Sequence, residues 1–290
     1  MPRYRIYNID AFQWLQERKA KSIQAVVTDP PFGVVEYTSN ELKKKASGNG
    51  GIWRLPIDYD GHKRNPMPRF TVLRDSDRKK IQSFHGRLAP LLFKTLVPGG
   101  HVIIASQNLL SHLVISQFEE AGFEIRGQII RVVKTLRGGD RPKGAHKTFR
   151  DVSVNPRSCC EPWLIFRKPI EGRISDNLKR WGTGALRRPS PDIPFKDLIV
   201  AGPARGLEKK IAPHPSLKPN MLMKQIVWAS LPLGSGIVLD PFMGSGSTIA
   251  AAESLGLKSI GLEVQKTFFS LAKRAIPRLL KISNNGTQKK

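Results

Sequence analysis

Cysteine, acidic residues and long apolar runs are the scarce components of this chain. Cysteine occurs only as the adjacent pair Cys159-Cys160. That pattern fits neither a disulfide framework nor a zinc site, and it points to a reducing cytoplasm. The 6 histidines are scattered, so no structural metal is expected. No long uncharged apolar stretch and no secretory leader stand out, which argues against a membrane protein and for a cytoplasmic one. Acids are outnumbered: 23 Asp and Glu face 48 Lys and Arg, a formal net charge of +25 over 290 residues. Such an excess favours a polyanionic partner. A solvated basic surface is the bland alternative, and charge alone does not distinguish DNA from RNA.

The patterning that is present alternates between strand and helix. Strands are expected at residues 4–8, 23–28, 101–105, 123–134, 163–167, 237–239 and 259–262. Helices are expected at 11–17, 78–96, 109–121, 219–231 and 248–255, with a last one before a polar tail at 284–290. This alternation implies an α/β fold, a mostly parallel sheet with helices on both faces. Residues 33–76 carry Gly, Pro, Asn and charge without periodicity and read as a long, mobile loop. A basic loop holds Arg137, Arg141, Lys143, Lys147 and Arg150, and residues 170–212 read as irregular and basic. No internal repeat is evident.

Two apolar runs end in motifs that carry chemistry. The first ends in Asp29-Pro30-Pro31-Phe32. Two prolines fix the backbone and remove two amide donors. What remains is one carboxylate among carbonyls, a site of acceptors suited to an amino group. Phe32 offers a face on which an extruded base could stack. Taken alone, Asp-Pro-Pro is also an ordinary turn after a strand.

The second run ends in Asp240-Pro241-Phe242-Met243-Gly244-Ser245-Gly246-Ser247-Thr248. Gly244 and Gly246 permit a tight turn and close backbone approach to a ligand. Thr248 opens a helix of small residues whose first amides favour an anion. The loop lacks the Lys of an ATPase phosphate loop and the third glycine of a dinucleotide fingerprint. By itself it also reads as a plain strand-to-helix turn. The next apolar run ends in Glu263, about twenty residues after the glycines, the spacing of a ribose-binding carboxylate. A helix-capping or solvated Glu is the competing reading.

Together these motifs resemble the amino-group DNA methyltransferases of the β class, in which the catalytic motif precedes the cofactor motif. The resemblance covers nearly the whole chain and implies a Rossmann-like methyltransferase fold with an antiparallel edge hairpin. Residues 7–14 resemble the opening in which an acid, here Asp10, approaches the cofactor adenine. His214-Pro215-Ser216-Leu217-Lys218-Pro219 resembles the segment that wraps the methionine end of S-adenosylmethionine, with His214, Ser216 and Lys218 as its polar members. Asp240, Phe242, Gly244, Gly246 and Thr248 match the main cofactor motif, and Glu263 the ribose-binding acid. Cys160-Glu161-Pro162-Trp163 matches a late strand where the family often has His-Glu-Tyr.

Three positions depart from the family pattern. Phe32 stands where Tyr is commoner, Gln265 where an acid is frequent, and Asn8-Ile9-Asp10 where Gly-Asp is usual. The implied organisation is a catalytic part at 1–169, a target-recognition region at 170–212 and a cofactor-binding part at 213–283 of the same domain. The implied partner is double-stranded DNA, contacted through Arg137, Arg141, Lys143 and Lys147. A cognate restriction endonuclease and a homodimer are further implied partners, and a nucleoid-associated prokaryotic location is the implied setting. The family places Asp first in the catalytic motif for adenine and Ser first for cytosine, so Asp29 favours adenine N6 over cytosine N4. A non-catalytic nucleic-acid-binding protein and an RNA methyltransferase are the remaining alternatives.

Overall fold

The computed structural model describes residues 2–31, 58–59, 62–63, 74–133, 141–142 and 144–285. The sequence period sets the layers. In β2 (Ile23–Thr28) the side chains divide between two apolar cores, alternating from Ala25 to Val27 after an irregularity at Ile23. Ile23 and Val26 face a cluster built with Leu88, Leu92 and Phe118, while Ala25 and Val27 face one built with Leu222, Ile226 and Ala251. A strand buried on both faces needs an apolar run, which Ala25-Val26-Val27 provides in β2.

The helices in chain order are α1 (Ala11–Glu17), α2 (Asp75–Thr95), α3 (Ser111–Glu120), α4 (Ile174–Trp181), α5 (Gly206–Ile211), α6 (Asn220–Ser230), α7 (Ser247–Ser254) and α8 (Lys266–Asn285). The other strands are β1 (Tyr4–Tyr7), β3 (Asp58–Tyr59), β4 (His62–Lys63), β5 (Leu96–Ala105), β6 (Glu124–Val132), β7 (Cys160–Arg167), β8 (Leu198–Val200), β9 (Ile237–Asp240) and β10 (Lys258–Leu262). Helices α1 to α3 contribute to the first core, and α6 and α7 to the second. Among the described residues no helix is long and apolar enough to cross a membrane.

The main sheet runs β1-β10-β9-β2-β5-β7-β6-β8. Strands β1, β10, β9, β2 and β5 are mutually parallel. β7 pairs antiparallel with both β5 and β6, and β8 adds to β6 in parallel. This arrangement matches the α/β fold with a mostly parallel sheet expected from the sequence. The chain order reverses between β2 and β9, and a parallel sheet opens a crevice at the carboxyl ends of its strands there. The β6–β7 hairpin does not form the edge, because β8 lies outside it.

The expected elements recur with shifted ends. α2 starts at Asp75 rather than at residue 78, since Asp77 accepts from the Arg74 N–H at 3.2 Å and stabilises an earlier first turn. β5 starts at Leu96, so Pro98-Gly99-Gly100 lies within the strand and does not precede it. Residues 170–212 are not irregular: they hold α4, β8 and α5. Asn177 of α4 donates to the Pro98 carbonyl at 3.2 Å and to that of Thr183 at 2.8 Å. α4 therefore sits beside the start of β5, at the opposite end of the sheet from Asp29. Most of the expected mobile loop at 33–76 lies outside the described residues.

Gly246 is the N-cap of α7, with φ 87°. A Cβ there would lie 2.6 Å from Cγ1 of Ile276 on α8. Helix packing therefore requires this glycine, independently of any ligand. Gly246→Val is expected to lower unfolding stability by about 2–4 kcal/mol through left-handed strain and overpacking. Urea unfolding of the two chains measures this, and equal midpoints would refute it.

Candidate active site

Three strand ends meet at the crevice. Asp29 follows β2, Asp240 ends β9 and Glu263 follows β10. The buried Thr28 hydroxyl donates to Asp240 Oδ1 at 2.7 Å and so ties β2 to β9. The same oxygen accepts from the Phe242 N–H at 3.1 Å, which starts the turn of the glycine loop. Burial pushes the Asp240 carboxyl up to about 6, against hydrogen bonds from Thr248 and Thr28 that favour its charge.

The loop that follows is held from two sides. Glu263 Oε2 accepts from the Gly244 N–H at 3.1 Å, and its Oε1 accepts from the Gln265 N–H at 2.7 Å. Burial still raises the Glu263 pKa, although these backbone donors oppose the shift. Gly244 has φ 52°, and a Cβ on it would lie 3.1 Å from Nε2 of His214. The imidazole thus covers the glycine turn. His214 packs edge-on against Phe268 at 4.3 Å and accepts from the Ser216 N–H at 3.2 Å. Burial lowers its pKa to about 4, and Lys209 and Lys218 add to the shift, so it is neutral at pH 7.

Asp29 sits at the head of a chain of charges. Its Oδ2 accepts from the Ser216 hydroxyl at 3.2 Å and pairs with Lys218 Nζ at 3.0 Å. Lys218 Nζ also pairs with Glu161 Oε2 at 3.1 Å, and Glu161 pairs with Arg131 at 3.2 Å. Trp163 Nε1 donates to Glu161 Oε1 at 2.9 Å. Arg131 is itself fixed by the carbonyls of Ala201 and Gly202 at 2.9 and 2.8 Å. Burial raises the Asp29 pKa. It opposes charge on Lys218 too, but Asp29 and Glu161 outweigh that and hold the lysine above its ordinary value.

The chain matches the DNA methylase family of N6/N4 methyltransferases over residues 23–274. It belongs to that family. A relative from Streptococcus pneumoniae, the type II methyltransferase M2.DpnII, is 25% identical over 270 residues, covering 92% of this chain and 87% of its own. The solved structure of the M1.HpyAVI complex with SAM has a TM-score of 0.57 at 23% identity, covering 94% of this chain and 98% of that one. The cytosine-N4-specific PvuII DNA methyltransferase has a TM-score of 0.59 at 14% identity, covering 98% and 94%.

Within this DNA methylase the expected site residues do not all lie together. Asp29, Ser216 and Lys218 are in direct contact. Asp240, Phe242, Gly244, Gly246, Thr248, His214 and Glu263 build the adjoining loop and its cover. Asp10 caps α1, accepting from the N–H groups of Phe12 and Gln13 at 2.9 and 3.1 Å. Pro30 is buried and Pro31 exposed, while Phe32, Arg137 and Lys143 lie outside the described residues. Arg141 and Lys147 are exposed, between β6 and β7, and that connection opens at the same end of the sheet as Asp29. Phe242 packs its ring 5.7 Å from that of Phe84, so it faces α2.

Glu161 and Arg131 were not among the expected site residues. The only signal for Glu161 was its place in the late-strand motif. Nothing in the sequence marked Arg131, because its partners come from β7 and from the residues after β8.

The buried Asp240 gives a pH-dependent prediction. Its raised folded pKa means that the protonated form is favoured in the native chain. Stability from this group is full below pH 3.8 and is lost as pH rises through about 6. Asp240→Asn lacks that titration. Its stability relative to the native chain should rise by up to about 3 kcal/mol across this window and then level off. Denaturant unfolding followed against pH checks this, and a difference constant with pH would contradict it.

Proposed function

We propose that the chain transfers a methyl group from S-adenosylmethionine to the exocyclic N6 amino nitrogen of adenine in a specific double-stranded DNA sequence. One observation carries this reading. An acceptor carboxylate, Asp29, lies one residue from Thr28, whose hydroxyl bonds the aspartate that begins the glycine loop. The methyl-acceptor and cofactor sites are thereby neighbours.

The residues present fit the cofactor. Gly244 forms a cradle that a Cβ would close against His214. Glu263 is oriented by two backbone donors and keeps lone pairs for ribose hydroxyls. Asp10, Ser216, Lys218, Phe242 and Thr248 complete the proposed pocket. When bound, S-adenosylmethionine supplies an electrophilic methyl group on a sulfonium.

Among the described residues the side-chain contacts to Asp29 converge on Oδ2, so Oδ1 can accept an amino N–H. The Pro30 carbonyl takes the second N–H. Held by Asp29 and Pro30, the amino nitrogen would face the methyl group that bound S-adenosylmethionine would supply, the sulfonium being the leaving group. Nitrogen gives up one proton, and Asp29 is the acceptor facing it. Catalysis of this kind rests on positioning and electrostatics and needs no covalent enzyme intermediate.

The base must leave the duplex, at a cost of roughly a few kcal/mol. Stacking on Phe32 offsets about 1–3 kcal/mol of that. Arg137, Arg141, Lys143 and Lys147 supply phosphate contacts. Cytosine N4 is the second reading, because the family spans both amino groups. The type II relative supports a cognate restriction endonuclease as a functional partner.

Asp29→Ala is expected to keep the fold and cofactor affinity while methyl transfer falls by orders of magnitude, the pattern of a group acting in the transition state. Radiolabelled transfer followed by nucleoside analysis gives rate and product together. Methyl on adenine N6 supports the reading, methyl on cytosine N4 the second, and a fully active Asp29→Ala chain overturns both.

Glu263→Ala should weaken cofactor binding by about 1.5–3 kcal/mol in calorimetry. Unchanged affinity would remove Glu263 from the pocket.

A further inference from the structure

Lys218 is shared. Its Nζ lies 3.0 Å from Asp29 Oδ2 and 3.1 Å from Glu161 Oε2, and the side chains of Lys218, Asp29 and Glu161 are 12%, 17% and 16% exposed. Glu161 is anchored on strands, by Trp163 within β7 and by Arg131 from β6. It cannot follow Lys218 toward solvent. A buried ion pair is weak evidence for stability, since apolar replacements often serve as well. The arrangement therefore calls for another explanation.

We propose that Glu161 is a positioning residue for methyl transfer: by dividing the Lys218 ammonium with Asp29, it stops that cation from saturating the catalytic carboxylate and keeps Asp29 a strong acceptor for the departing amino proton. This rests on the transfer reading above.

Among the described residues, the polar and charged groups around Asp29 come from four elements of the crevice. Ser216 and Lys218 come from the segment before α6, Glu161 from β7, Arg131 from β6 and Asp240 from β9. Burial raises the Asp29 pKa, Lys218 lowers it and Glu161 raises it, with a net upward shift. Burial also opposes charge on Glu161, but Lys218 and Arg131 outweigh it and hold this carboxyl below its ordinary value. Glu161 is therefore the anion that stays charged as Asp29 titrates. Glu161→Gln keeps the shape and an acceptor for Lys218, and it removes the charge. Lys218 and Arg131 then act on Asp29 without a competing anion, and Asp29 becomes the weaker base.

The test uses the full chain with 13C-labelled aspartate. The Asp29 carboxyl resonance is assigned with Asp29→Asn and titrated against pH. In Glu161→Gln its midpoint should move to lower pH. The acid limb of kcat/KM for DNA should move with it, and the plateau rate should fall several-fold. Glu161→Asp, which keeps the charge, should restore most of both. Lys218→Met provides a reading of opposite sign, with the Asp29 midpoint rising. A midpoint that stays put or rises in Glu161→Gln overturns the proposal. So does a fall in Lys218→Met, which decides the matter if the Gln variant fails to fold. A wild-type chain that methylates no DNA would instead remove the transfer reading, while the carboxyl titration would still judge the Glu161–Lys218–Asp29 coupling.

Discussion

The hydrogen bond from Thr28 to Asp240 is the contact on which the site depends. It joins residues 212 positions apart at the point where the sheet reverses its order. Both partners are buried, Thr28 at 0% and Asp240 at 2% exposure. A buried carboxylate is costly unless its acceptors are filled. Asp240 gains a hydroxyl donor from the end of β2 and an amide donor from its own loop, so filling its acceptors requires β2 and β9 to lie side by side.

The remainder of the crevice follows the same logic of acceptors needing donors. Glu263 is satisfied by the backbone of the glycine turn that it supports. Asp29 is satisfied by Ser216 and Lys218, which arrive from the segment between α5 and α6. Two carboxylates and two cations, Asp29, Glu161, Lys218 and Arg131, close a local charge balance within a molecule of formal charge +25. The large net charge thus lies outside this four-residue cluster.

Some readings of the sequence failed for reasons that are physical. Residues 170–212 looked irregular because α4, β8 and α5 are short, at 8, 3 and 6 residues, and periodicity needs a longer window. The start of that region packs against Pro98 at the far end of the sheet from Asp29, while the part after β8 returns to the Asp29 end, where Ala201 and Gly202 hold Arg131. Gly246 carries a second demand that the sequence did not show, because the space its missing side chain leaves is filled by Ile276 from α8. No local pattern announces a contact with a helix that comes later in the chain.

The sequence by itself determined the alternating elements, the two motifs and their order, and the polyanionic character of the partner. These depend on local periods, on proline and glycine geometry, and on summed charge, all of which are written along the chain. Only the tertiary structure decided that Asp29 shares a lysine with Glu161, that Arg131 anchors the far side of that pair, and that the basic residues between β6 and β7 open at the catalytic end. Those facts come from strand pairing across the sheet, where β7 runs antiparallel beside β5 and brings Glu161 back to the crevice. Pairing direction is set by the packing of the whole sheet, and a single stretch of residues carries no record of it.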